Sequence, residues 1–225
     1  LTAVPVDVVT VFTDPDGNFG NPLGIVAGHL VAPADRQALA AHLGYSETVY
    51  VDDATTGAVR IFTATGEMSF AGHPTVGVAW WLRSQGHAVP VLQTPAGEIP
   101  VTFDGDLVSV QADSSWGSTW DWTELATPAD VVAADPASYS AGHTYLWSWQ
   151  DKDAGVLRSR AFAPAMGITE DEATGSAATQ LTALLDRDLH IVQGVGSHLY
   201  TTHLPPSHAT VGGRVLREDS RITTL

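Results

Sequence analysis

Apolar residues along this 225-residue chain recur with two different periods, short β-branched runs giving way to longer helical stretches, and the mixture predicts an α/β (α+β) fold. Val4 to Phe12 is β-branched and aromatic, interrupted at Asp7, and predicts an opening strand. Asp14-Pro15-Asp16-Gly17-Asn18 and Gly20-Asn21-Pro22 carry turn chemistry, and Leu23 to Ala27 predicts a short buried strand. Asp35 to Leu43 predicts a helix, with Pro33 ahead of it and Gly44 as its stop. Glu47 to Val51 and Ala58 to Thr63 are strand-like. His73 to Gln85 predicts a second helix: Pro74 sits in the first turn, where its missing N–H costs nothing, and Gly86 can end it. With Trp80 and Trp81 this helix is apolar around much of its circumference, the mark of an enclosed element. Strands follow at Val91 to Thr94, Glu98 to Phe103 and Leu107 to Gln111.

The second half repeats the plan loosely. Asp121 to Leu125 and Asp130 to Ala134 are expected to be helical, and Thr144 to Trp149 and Val156 to Phe162 to be strands. Ser176 to Leu185 predicts a helix with Leu181, Leu184 and Leu185 on its apolar side, and His190 to Val192 and Ala209 to Val215 close the chain as strands. Two glycine turns, Phe70-Ala71-Gly72-His73-Pro74-Thr75 and Ala173-Thr174-Gly175-Ser176-Ala177-Ala178, each run straight into one of the apolar helices, and they lie nearly half a chain apart. That offset predicts two related lobes, residues 1–115 and 116–225, with the seam near Asp113 to Trp122.

Composition narrows the function. The net charge is -15, from 25 acidic and 10 basic residues, and no Lys/Arg cluster supplies the footprint that nucleic-acid binding needs. There are no cysteines, so disulfides, thiolate zinc sites and thiol acid–base pairs are excluded. No apolar run reaches the length of a membrane span and no basic-then-apolar signal opens the chain; Leu1 in place of Met fits a trimmed leader or tag, and a cytoplasmic protein is expected. Gly17, Gly20 and Gly24 form no dinucleotide fingerprint, so no cofactor is expected. His198, His203 and His208 recur every five residues, which places neighbours on opposite strand faces, so no metal site is expected either.

A helix start gathers unpaired N–H groups and partial positive charge. Two such starts facing across a cleft would grip a small anionic metabolite against the repulsion of the whole chain, an arrangement suited to chemistry beside a carboxylate. Taken singly, each polar residue near them has an ordinary reading: Glu47 as an exposed strand-end glutamate, His73 as a packing or capping histidine, Asp171 as a helix-start acid, Ser176 as an N-cap. Gly175-Ser176-Ala177-Ala178 lacks the second glycine of a serine-hydrolase elbow. Trp116, Trp120, Trp122, Trp147 and Trp149 read as core packing or as an apolar wall for a ring-bearing substrate, Trp147 and Trp149 sharing one strand face.

Together, Gly20-Asn21-Pro22, Ser46-Glu47-Thr48, Arg60-Ile61-Phe62-Thr63, the turn at 70–75, Glu170 to Ala177 and Gln193-Gly194 resemble the PhzF-like isomerases of phenazine biosynthesis, in register over nearly the whole chain. The resemblance implies a diaminopimelate epimerase-like fold: two pseudo-symmetric lobes, each a curled mixed sheet around a central helix, with the active site between them. It further implies that Glu47 is the acid–base group, that His73, Asp171 and Ser176 complete the site with Asp171 as the partner of His73, and that the backbone of Gly72 and Gly175 holds the substrate carboxylate. Where related racemases carry cysteines this chain has Ala71 and Thr174, so a two-thiol mechanism is unavailable. Homodimers are expected from the same resemblance. The segment before Asp130 is short for the family, and two further departures stand out: Glu172 occupies a position where many relatives have proline, and Val195-Gly196-Ser197-His198 replaces a Gly-Arg-Pro-Ser stretch. Glu170 and Glu172 are expected to be solvated. An epimerase, or a noncatalytic binder of small carboxylates, would use the same residues.

Overall fold

The computed structural model describes residues 3–224. In chain order the first elements are β1 (Ala3–Thr13), β2 (Asn21–Ala27), α1 (Arg36–Leu43), β3 (Glu47–Asp53), β4 (Ala58–Thr63), β5 (Glu67–Met68), α2 (Gly72–Ser84), β6 (Val91–Thr94), β7 (Gly97–Asp104) and β8 (Leu107–Asp113). There follow β9 (Asp121–Glu124), α3 (Pro128–Ala133), β10 (Thr144–Asp151), β11 (Val156–Ala163), β12 (Ile168–Asp171), α4 (Gly175–Leu185), β13 (Leu189–Gln193), β14 (Ser197–Leu204), β15 (His208–Arg217) and β16 (Arg221–Thr224). The chain forms two units, and neither is continuous: one holds the chain up to Val11, Pro22–Val110 and the stretch from Val215 onward, the other Phe12–Asn21 and Gln111–Arg214.

In the first unit the strands run β16-β1-β2-β3-β4-β6-β7-β8. β1 shows why its sequence is almost wholly apolar: both faces are covered. Val4, Val6 and Val8 pack with Leu39 and Ala40 of α1 and with Tyr50 and Phe62. On the other face Asp7 accepts the indole N–H of Trp81 at 2.8 Å, which accounts for the polar interruption in that strand. α2 is the enclosed helix its composition predicts, buried from Gly72 to Ala79 and again at Leu82. Gly77 lets it lie against the sheet, since a Cβ there would fall 2.6 Å from Leu23 and 2.8 Å from Val11. α1 ends on Gly44 in the left-handed region (φ 71°), as its sequence predicts.

The second unit runs β15-β14-β13-β11-β10-β9 around α4. The buried side of α4 is made by Ala177, Ala178, Leu181 and Thr182, whereas Leu184 is 59% exposed, contrary to the expected leucine stripe. Asp121–Glu124 is a strand and not a helix: it pairs in parallel with β10, and Trp122 packs on Tyr145 with ring centroids 5.2 Å apart. A four-residue polar segment has no period of its own, and pairing with β10 decides its conformation. β5, β12, β14 and β16 had no counterpart in the sequence reading for the same reason: they are short or polar and are strands because a neighbour offers its edge. Among the described residues no helix is long and apolar enough to cross a membrane.

Candidate active site

In the first unit, Glu47 is the first residue of β3 and His73 the second of α2. Both are buried, at 8% and 3% exposure, so the reading of Glu47 as an exposed strand end fails. Oε2 of Glu47 lies 3.3 Å from Nδ1 of His73 and makes no hydrogen bond. A carboxylate with so little solvation pays heavily for its charge. Burial therefore pushes the Glu47 carboxyl up to about 7, against a smaller opposing effect from the Ser46 side chain. Glu47 is thus one group set beside His73. Ahead of them, Phe70 and Ala71 are buried, and Ala71 takes extended geometry at the helix cap with no side chain capping the turn. The Thr75 hydroxyl donates back to the carbonyls of Ala71 (2.9 Å) and Gly72 (2.8 Å), fixing the first turn from inside.

The second unit builds a different environment at its own glycine turn. The N-cap of α4 is Thr174, and Ser176, expected as a cap, is the second helical residue. Thr174 does not cap with its side chain: its hydroxyl donates to Asp171 Oδ2 at 2.6 Å and accepts from Gln193 Nε2 at 2.8 Å. Asp171 Oδ1 accepts from the Asn21 side-chain amide at 2.8 Å. Gln193 also donates to the Asp171 carbonyl at 2.9 Å, and its Oε1 lies 3.1 Å from the buried Tyr145 hydroxyl. Ser176 sits under Gly117, whose Cβ, if present, would lie 2.9 Å from the Ser176 Cβ.

Neither glutamate beside Asp171 is merely solvated. Glu170 holds Arg160 through two contacts of 2.7 Å, the bidentate geometry that makes such pairs strong. Glu172 accepts from Val195 N (2.8 Å), Gly196 N (3.3 Å) and Ser197 Oγ (2.7 Å). Two of the departures noted in the sequence are therefore bonded to each other. Gly194 is obligatory here, because a Cβ would fall 2.1 Å from the Glu172 carboxylate and its φ is 61°. Arg158, 8% exposed, bonds the carbonyls of Ser159 (2.7 Å), Val192 (2.8 Å) and Gly194.

Sequence reading gave no role to Asn21, Gln193, Tyr145 or Arg158. Asn21 and Gln193 belonged to recognised motifs; Arg158 carried a signal of its own, a charge within an apolar strand that must find several acceptors if buried. The tryptophans divide. Trp120 and Trp147 are buried, Trp120 packs edge-on against Tyr145 at 5.9 Å, and Trp147 and Trp149 share one face at 5.4 Å. The histidines take separate partners: His198 meets His190 at 3.1 Å, and His203 meets Asp186 at 2.9 Å. Among the described residues no group of three or more His, Asp or Glu gathers as a metal centre would need.

This arrangement has relatives. The chain is 29% identical over 225 residues to the trans-2,3-dihydro-3-hydroxyanthranilate isomerase of Pseudomonas fluorescens, a match covering 78% of this chain and 81% of the relative. Its fold matches a phenazine biosynthesis protein of the PhzF family from Enterococcus faecalis, with a TM-score of 0.81 at 20% identity, over 99% of this chain and all of the other. It also matches a hydroxyproline epimerase from Agrobacterium vitis bound to trans-4-hydroxy-L-proline, with a TM-score of 0.68 at 12% identity, over 98% and 92% of the two chains. At such identities the structural matches speak for the mixed α/β, epimerase-like fold. Residues 9–144 and 128–203 match the PhzC-PhzF family, described as phenazine biosynthesis-like protein, and the chain belongs to that family.

Proposed function

We propose that this protein is a cofactor-independent isomerase that shifts a proton within a small carboxylate-bearing molecule, cyclic or unsaturated, with Glu47 as the acid–base group. The observation that carries the reading is the buried Glu47 carboxyl, held near 7 beside His73 at 3.3 Å. A carboxyl in that range exists in both forms at neutral pH, so one group can take a proton and give it back.

The ionised carboxylate removes a proton from carbon, and the electron pair left behind moves into conjugation with the neighbouring double bond or carboxylate. Neutral Glu47 then returns the proton to a different carbon, and the enzyme ends as it began. His73 steadies the charged form of Glu47 or passes the proton on. The backbone N–H groups of Gly72 and His73, with Ala71 beside them, would hold charge growing on the substrate carboxylate, the preorganised kind of donor that is worth most away from water. Thr174, Gly175, Ser176 and Asp171 enter on the family resemblance, as groups that bind the substrate or assist protonation.

Because a relative is named for trans-2,3-dihydro-3-hydroxyanthranilate, that compound is the first probe. Turnover in D2O separates the candidate activities: label with a moved double bond identifies an isomerase, and label with inversion an epimerase. Binding without label identifies a carrier. If Glu47→Gln exchanged label as fast as the native protein, the assignment of Glu47 would fail.

A further inference from the structure

One carboxylate near the second glycine turn is not used by that mechanism. Glu172 receives the three donors already described, and one of them, Ser197 Oγ, in turn accepts from Gly20 N at 3.0 Å. The next residue, Asn21, is 5% exposed and directs its amide to Asp171 Oδ1 at 2.8 Å and to the Ala173 carbonyl at 3.3 Å. Asp171 and Glu172 are themselves neighbours in sequence, so the contacts close a ring: Glu172, Ser197, Gly20, Asn21, Asp171 and back. All its members belong to the second unit.

We propose that Glu172 is a positioning residue: by closing this ring it fixes the Asn21 amide on Asp171 and so sets the orientation of the Asp171 carboxylate. This rests on the reading that Asp171 takes part in the reaction. The chemistry of the ring fits a carboxylate at 172. Its donors are a hydroxyl and two backbone N–H groups, and an acceptor-only side chain with two oxygens can receive all three. A glutamine would present an NH2 to one of them and lose a charge-assisted contact. Ser197 is the hinge, since its hydroxyl both donates to Glu172 and accepts from Gly20. With either end removed, the bonded path from Glu172 to the Gly20–Asn21 backbone is cut, and the aim of the Asn21 amide on Asp171 shifts.

The test is nuclear magnetic resonance on the protein, reading the side-chain NH2 of Asn21 in the native chain, Glu172→Gln, Ser197→Ala and the double variant. The ring predicts that each single change moves those resonances and speeds their hydrogen exchange about tenfold, and that the double change adds little more. Should Glu172→Gln fail to fold, Ser197→Ala still opens the same ring. A fall in thermal midpoint with the Asn21 amide unmoved would mean that Glu172 only stiffens its loop, and the proposal would be overturned; so would additive effects of the two changes. In the deuterium-exchange assay on trans-2,3-dihydro-3-hydroxyanthranilate, the ring further predicts about a tenfold lower kcat in Glu172→Gln with KM little changed. If the native protein does not turn that compound over, the functional reading is at fault, while the Asn21 signal still decides the ring.

Discussion

The two glycine turns use one backbone device and surround it with opposite electrostatics. At the start of α2, the carboxylate Oε2 of Glu47 is buried without a hydrogen bond, beside an imidazole, and its proton is held up to about 7. At the start of α4, both oxygens of Asp171 are engaged, by Asn21 at 2.8 Å and Thr174 at 2.6 Å. Desolvation favours the neutral form of a carboxyl, and hydrogen bonds fix the direction in which its oxygens point. The first environment suits a group that must change protonation state, the second a group that is held in place. The helices differ in the same sense five residues on. Gly77 lets α2 touch the sheet, while Gln180 of α4 reaches out to the carbonyls of Trp116 (3.0 Å) and Ser118 (3.1 Å).

Removing the titrating carboxyl should break this contrast most severely. Glu47→Gln is expected to slow exchange about a thousandfold, the scale of a lost acid–base group. It should also stabilise the protein at alkaline pH. Below pH 4.5, the ordinary value for the side chain, Glu47 is protonated whether folded or not; above about 7 it is ionised in both states and the folded chain bears the burial penalty. Stability should therefore fall as pH rises from 4.5 to 7, by on the order of 3 kcal/mol, and Glu47→Gln should flatten that slope in denaturant titrations across the window. A slope unchanged by the substitution would place the effect elsewhere.

Next in size comes Asp171→Asn, which replaces an acceptor pair with a group that must face one donor with another. Exchange is expected to drop by about 10- to 100-fold, and stability by about 1–3 kcal/mol in urea. Unlike the change at Glu47, it should destabilise at neutral pH, and the sign difference is the sharpest check on the comparison. Gly77→Ala should cost about 1–3 kcal/mol by overpacking against Leu23 and Val11, read as a lower thermal midpoint. Gln180→Ala should cost about 1 kcal/mol and loosen residues 116–118, seen as faster amide exchange there with α4 intact.

Much of this was legible in the chain. The β-branched runs gave β1, β3 and β4, the glycines and Pro74 bracketed α2, and the motif register pointed to Glu47 and His73. What stayed hidden were features that depend on a distant partner. Nothing in Asp121–Glu124 announces a strand until β10 supplies an edge. Glu172 looked like a solvated acid because its three donors come from more than twenty residues downstream. The same holds for Asn21, whose contact with Asp171 spans 150 residues of sequence. Local patterns report burial well and report who meets whom poorly, since a polar side chain carries no mark of its acceptor until the chain is folded.

The discontinuity of the units sets a condition on biosynthesis. β1 is made before β16, yet β16 lies along it, Glu218 N bonds the Val8 carbonyl at 2.9 Å, and the Thr10 hydroxyl meets Glu218 at 2.8 Å. A growing polypeptide therefore carries an unfinished sheet margin from the making of β1 until residues 215–224 leave the ribosome. Protecting that margin from stray strand pairing is a task for whatever attends the nascent chain.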